Sequence, residues 1–85
     1  MKTYFIEIAP AVRKQLKPIP NPQKQKILDK IESLSSEPRP YGYKDLVGFK
    51  GYYRIRAGDY RIIYQIFDDV LVISVVEVVN RREAY

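Results

Sequence analysis

Hydrophobic and polar positions alternate most regularly in the run YYRIRAGDYRIIY, residues 52–64. Tyr53 and Ile55 share one parity in the first arm, and Tyr60, Ile62 and Tyr64 share one in the second. Arg54, Arg56 and Arg61 take the other parity. Period-2 alternation of this kind predicts strands with one buried face. Ala57-Gly58 interrupts the run, and glycine reaches the positive φ of a tight hairpin at the least steric cost. With Ala57-Gly58 as a two-residue loop, Arg56 lies opposite Asp59 and Arg54 lies opposite Arg61. Three guanidinium groups then share the solvent side of one hairpin, with Asp59 to neutralise them. Like charges directly opposite across a ladder are destabilising. A bound anion would explain the arrangement, and so would a solvated strand face that happens to use arginine.

From the N-terminus, Tyr4 to Ile8 reads as a short strand with little alternation, which predicts burial on both faces. Ala9, Val12 and Leu16 recur at helical spacing after Pro10, a residue tolerated in the first helical turn. Pro18-Ile19-Pro20 stops that helix. Asn21-Pro22 restarts one as an N-cap followed by proline. This second helix is predicted to run to about Ser35, with Ile27, Leu28, Ile31 and Leu34 as its apolar stripe. Lys24, Lys26 and Lys30 fall on its other face, where the residues alone favour an ordinary solvated surface over a binding site. Residues 35–40 (SSEPRP) form a loop, and Gly42, Gly48 and Gly51 punctuate the stretch that follows. Leu46 and Phe49 are the residues there expected to tuck against the core. Beyond Tyr64 the strand continues, turns at Asp68-Asp69 and returns as Val70 to Val79, apolar at nearly every position as in a central strand. That turn sets Arg61 near Val76. The order strand, helix, helix, then antiparallel strands predicts an α+β fold. The N-terminal strand and helical hairpin pack on one face of a small, twisted, mainly antiparallel sheet.

Composition narrows the chemistry. Eighty-five residues make one domain, 1–85, with a small core. No signal-peptide pattern and no apolar run of membrane-spanning length occur, which points to a cytoplasmic protein without a membrane partner. The chain has neither cysteine nor histidine, so a disulfide, a thiolate metal site and the usual proton shuttle are all excluded. Asp45, Asp59, Asp68, Asp69 and Glu77 are dispersed or sit in turns, so no metal site and no cofactor are expected. A net charge of +5 suggests a polyanionic partner.

The helical hairpin, the run YRIRAGDYRIIYQI, the Val/Ile-rich strand and the terminal NRREAY together resemble the RelE/ParE superfamily of bacterial toxins, most closely its RelE branch. The resemblance covers essentially the whole chain. It implies a RelE-like fold and a type II toxin held inactive by a RelB-like antitoxin. The activity implied is metal-independent cutting of mRNA in the ribosomal A site. The implied partners are that antitoxin, mRNA and small-subunit rRNA, with operator DNA reached only through the antitoxin.

By the same resemblance, Arg61 matches the arginine that contacts the scissile phosphate. Arg81 matches a transition-state stabiliser or acid, and Tyr85 matches the tyrosine that orients the target nucleotide. Arg54 and Arg56 match two positions that carry lysine in the best-studied kind of RelE, one of them assigned as a general base. Arginine is effectively never deprotonated in a protein, so here the sequence departs from that pattern. Arg82 and Tyr53 complete the expected substrate contacts, although Arg82 also has Glu77 and Glu83 as alternative partners. Lys24, Lys26 and Lys30 are the expected contacts to rRNA. A ParE-like protein binder that poisons DNA gyrase, and a member that only binds antitoxin, are the alternatives the resemblance leaves open.

Overall fold

A computed structural model describes residues 3–80. The elements are β1 (Phe5–Ile8), α1 (Pro10–Leu16), α2 (Asn21–Ser33), β2 (Lys44–Asp45), β3 (Tyr52–Ala57), β4 (Tyr60–Phe67) and β5 (Val72–Asn80). The strands form one sheet in the order β1-β5-β4-β3-β2, with β1 parallel to β5 and every other neighbour antiparallel. α1 lies on β5, and α2 lies over β3 and β4. Two helices on a mixed five-stranded sheet make the α+β architecture that the sequence predicts.

The core follows from parity. Ile55 and Ala57 on β3, Ile62 and Tyr64 on β4, and Ile73, Val75 and Val78 on β5 are buried against the helices. Val12 and Leu16 from α1 and Ile27, Ile31 and Leu34 from α2 close over them. Each Val, Leu or Ile among them contributes roughly 1.5–3 kcal/mol through burial. The spacing of Val75 and Val78 breaks the alternation for a specific reason. Ile63 pairs with Glu77 but Tyr64 pairs with Val75, which leaves Val76 as an extra, bulged residue on β5.

Several sequence expectations are corrected. β1 is not buried on both faces. Ile6 and Ile8 face the helices, while Phe5, on the uncovered face of the sheet, is 67% exposed. Asn21 is not the cap of α2 but its first residue. Pro20 enters the helix in an extended conformation, and its carbonyl accepts the first bond from the Lys24 N–H at 2.9 Å. The helix ends at Ser33 rather than Ser35. The β3–β4 loop is Gly58-Asp59, with Ala57 paired to Tyr60. Gly58 takes φ +62° at the first loop position, where a II′ hairpin needs glycine, and Ala57 moves into the buried face of the strand. The β4–β5 connection spans residues 68–71, so β5 begins at Val72 rather than Val70. The longer turn and the bulge together bring Arg61 opposite Val79 instead of Val76. The two-residue strand β2 escapes the alternation pattern altogether, since it is too short to show a period. Phe49 sits in the turn between β2 and β3 and is 60% exposed, contrary to expectation, while Leu46 is half-buried.

Candidate nucleic-acid interface

The face of the sheet away from the helices collects the cations. Arg54 and Arg56 alternate with the buried Ile55 and Ala57, so both belong to this open face, as does Arg61 between the buried-face Tyr60 and Ile62. Across the ladders Arg56 is paired with Arg61, and Lys44 on β2 is paired with Arg54. Directly opposed residues have Cβ atoms about 4.5–5.5 Å apart. These are therefore two like-charge pairs side by side on three adjacent strands. The other residue directly opposite Arg61 is Val79, and Glu77 lies diagonally, opposite Ile63. Lys44 is a member of this row that sequence reading missed, because nothing in the residues around it announces a strand.

Two openings run along the edge of β3, where β2 is too short to cover it. One, about 430 Å³, is lined by Lys30, Tyr41, Gly42, Lys44, Arg54, Ile55 and Arg56, which brings together four cations and, among the described residues, no carboxylate. The next, about 490 Å³, is lined by Lys26, Asp29, Lys30, Ser33, Arg56, Ala57 and Gly58. Lys26 and Lys30 of α2 thus join the arginines of β3. Lys24 is half-buried nearer the start of α2 and lines neither opening. An anion with several phosphates matches such a surface, since each guanidinium offers a bidentate fork.

Tyr53 does not stand with the arginines. It occupies the helix side of β3, with its ring centroid 6.0 Å from Tyr43 and 5.9 Å from Tyr64. The Arg39 guanidinium sits over that ring at 5.7 Å. Arg39 also forks onto Asp68, donating to Oδ2 at 2.9 Å and Oδ1 at 3.4 Å, and the Tyr4 hydroxyl donates to Asp68 Oδ1 at 2.6 Å. The Tyr64 hydroxyl donates to the Pro38 carbonyl at 2.8 Å. Asp68, read from sequence as a polar turn residue, is thus the anchor that ties residues 38–39 to the β4–β5 turn. Its hydrogen bond holds the Tyr4 phenol above its usual value, and burial does the same to Tyr64. Asp68 raises the already high pKa of Arg39 further. Tyr53 therefore belongs to the scaffold. Its neighbour in the chain, Tyr52, is the one of the two that lies on the arginine face.

Arg81, Arg82 and Tyr85 lie outside the described residues. Asn80, the last of those, pairs with Tyr60, one position from Arg61. Among the described residues no three of His, Cys, Asp or Glu stand close enough to hold a metal ion.

Comparison with known proteins follows the same lines. Residues 6–85 match the family model described as the ParE toxin of type II toxin–antitoxin systems, parDE. The RelE1 protein of Methanocaldococcus jannaschii is 32% identical over 85 residues, covering 96% of this chain and 94% of that protein. The toxin in the archaeal RelE–RelB complex from Pyrococcus horikoshii OT3 superposes with a TM-score of 0.83 at 30% identity, over 95% of this chain and 98% of that one. In the RelB–RelE antitoxin–toxin complex from Methanococcus jannaschii the values are 0.75 and 28%, over 93% and 94%. A variant of the E. coli toxin RelE in the free state gives 0.76 and 25%, over 96% and 86%.

Proposed function

This chain belongs to the RelE/ParE superfamily of toxins from type II toxin–antitoxin systems, and on that footing we propose that it is an endoribonuclease that cuts mRNA in the ribosomal A site. The observation that supports this reading is the open-face row Lys44, Arg54, Arg56 and Arg61, with Lys26 and Lys30 beside it. Clustered like charge costs stability in the free protein, and a phosphate backbone relieves that cost.

The chemistry needs no metal. The 2′-OH of the nucleotide attacks the adjacent phosphorus in line while its proton passes to a base. The P–O5′ bond breaks, and the departing oxygen takes up a proton. The products are a 2′,3′-cyclic phosphate and a 5′-OH. Arg61 grips the scissile phosphate, and Arg81 stabilises the extra negative charge of the phosphorane. Arg54, Arg56 and Arg82 cradle the flanking backbone, and Tyr85 orients the target nucleotide. Preorganised charge of this kind is often the largest catalytic contribution. Neither Arg54 nor Arg56 can take the proton. Tyr85, close in sequence to Arg81 and Arg82, is the candidate base, because neighbouring cations lower a phenol's pKa. Lys26 and Lys30, with Lys24 further off, dock rRNA. In the cell a RelB-like antitoxin covers the arginine face with an acidic helix or an added strand.

A second reading, a ParE-like binder of DNA gyrase, draws on the description of the matching family model and on the missing lysine base. Inducing the chain in bacteria separates the two. Translation arrest with mRNA cut inside codons supports the nuclease. An SOS response with stalled replication and intact mRNA overturns it.

A further inference from the structure

The arginine face carries an aromatic extension that the reading above does not use. Tyr52 opens β3 on the same parity as Arg54 and Arg56, so ring, guanidinium and guanidinium follow one another at steps of about 6.6 Å. The Phe49 ring meets Tyr52 edge-on, with centroids 6.3 Å apart and planes at 79°, and it remains 60% exposed. Its position is fixed by the turn that carries it. Leu46 N–H donates to the Tyr52 carbonyl at 2.9 Å, Phe49 N–H to the Leu46 carbonyl and Tyr52 N–H to that of Phe49, both at 3.1 Å. Gly48 and Gly51, at φ +84° and +85°, let the chain close that turn.

A singly exposed apolar ring is ordinary on a protein surface. This one is held at the end of a cationic row in which Lys44 on the neighbouring strand, opposite Arg54, is also a cation. Cations that track a backbone beside a flat ring are the pattern by which proteins hold single-stranded nucleic acid. We propose that Phe49, supported by Tyr52, is a stacking platform for one base of the RNA strand whose phosphates lie on Arg54 and Arg56. The inference rests on the RNA-cutting function proposed above. It adds a residue that positions the strand without touching the reacting phosphate. Stacking tolerates any base, so the platform contributes affinity and register rather than sequence choice.

The test uses programmed ribosomes and an mRNA blocked by a 2′-O-methyl group at the scissile position. 2-Aminopurine is walked through the A-site codon and one nucleotide on either side. At one position the wild-type protein quenches the probe. Phe49→Leu, which keeps an apolar side chain but no ring, abolishes that quenching. It also raises the half-saturating protein concentration roughly five-fold or more, the equivalent of about 1 kcal/mol of base–aromatic stacking. Phe49→Tyr restores both. Unblocked mRNA is still cut by Phe49→Leu at saturating protein. Because the side chain is largely exposed, thermal unfolding of Phe49→Leu stays close to wild type. If Phe49→Leu quenches and binds as the wild type does while cleavage stands, the platform is wrong and the nuclease reading survives. The platform is equally wrong if the variant keeps its RNA affinity and loses the antitoxin instead. If the wild-type protein neither binds nor cuts programmed mRNA, both readings fall together.

Discussion

Arg56 and Arg61 stand directly opposite each other across the β3–β4 ladder. The sequence-derived hairpin sets Arg56 against Asp59 and Arg54 against Arg61, whereas in the observed register Asp59 belongs to the loop. A two-residue change of partner thus moves the like-charge pair from Arg54 and Arg61 to Arg56 and Arg61, and it puts Arg54 opposite Ile63.

Replacing one member should therefore stabilise the free protein while weakening its grip on RNA. For Arg56→Thr we expect a gain of about 0.2–1 kcal/mol, the range for cross-strand pairs, measured by chemical unfolding at low salt. The gain should shrink as salt is added, and affinity for ribosomes should fall. A destabilised Arg56→Thr protein would show that the pair is not repulsive as built.

The chemistry should separate from docking. Arg61→Ala and Arg81→Ala are expected to lower single-turnover cleavage on programmed ribosomes by on the order of 10²–10³, by analogy with oxyanion-hole donors. Affinity should change far less. Lysine at either position rescues only part of the rate, since a point charge lacks the fork. Wild-type rates in both alanine variants would remove Arg61 and Arg81 from the active site.

Product ends test the route directly. Toxin stripped with chelator and added to intact ribosomes should leave a 2′,3′-cyclic phosphate and a 5′-OH. Recovery of a 5′-phosphate is incompatible with attack by the 2′-OH.

Lysine contributions should follow position along α2. Lys26 and Lys30 line the openings beside Arg56, so Lys26→Ala and Lys30→Ala should weaken ribosome binding more than Lys24→Ala does. Both losses should diminish as salt rises, because the energy comes from counterion release. Equal effects at all three positions would mean that rRNA reads α2 as a general charge and not at its groove edge.

The buried phenol predicts an alkaline limit. Burial raises the Tyr64 pKa above the 10.0 of an exposed tyrosine. The fold therefore favours the protonated form. Its contribution is complete below about pH 10 and is lost as pH climbs from there toward the folded value. Tyr4, raised through Asp68, acts in the same direction. Tyr64→Phe should cost about 1 kcal/mol near neutrality, since the Pro38 carbonyl loses its donor. It should also flatten the decline in unfolding temperature above about pH 10. An equally steep decline in Tyr64→Phe would falsify this assignment.

Much of the fold is legible in the sequence because its signals are local. Val12 and Leu16, and Ile27 and Ile31, mark their helices by spacing, and Ile55, Ile62 and Tyr64 mark the buried face by alternation. What sequence missed depends on counting across a turn. Moving the loop from Ala57-Gly58 to Gly58-Asp59 leaves every residue on its own face, so alternation cannot detect it, yet it changes which arginines meet. Lys44 was invisible because a two-residue strand exists only through its pairing with Arg54 and Tyr53. Tyr53 and Tyr52 are neighbours of the same chemical type. Only the observation that Tyr53 packs with Tyr43, Tyr64 and Arg39 tells which one shares the face of the cations.

The bulged Val76 acts as a phase shift within β5. Before it, odd-numbered positions such as Ile73 and Val75 point into the protein; after it, the even-numbered Val78 does. A combinatorial library that varied only odd positions of this strand would strike the interior in its first half and the surface in its second. Deleting Val76 alone would make the ladder regular and leave Glu77 and Val79 on the open face and Val78 inside, with Arg61 still opposite Val79. A single deletion should therefore be tolerated at Val76, whereas one within residues 72–75 or 77–80 would turn the side chains beyond it to the wrong face.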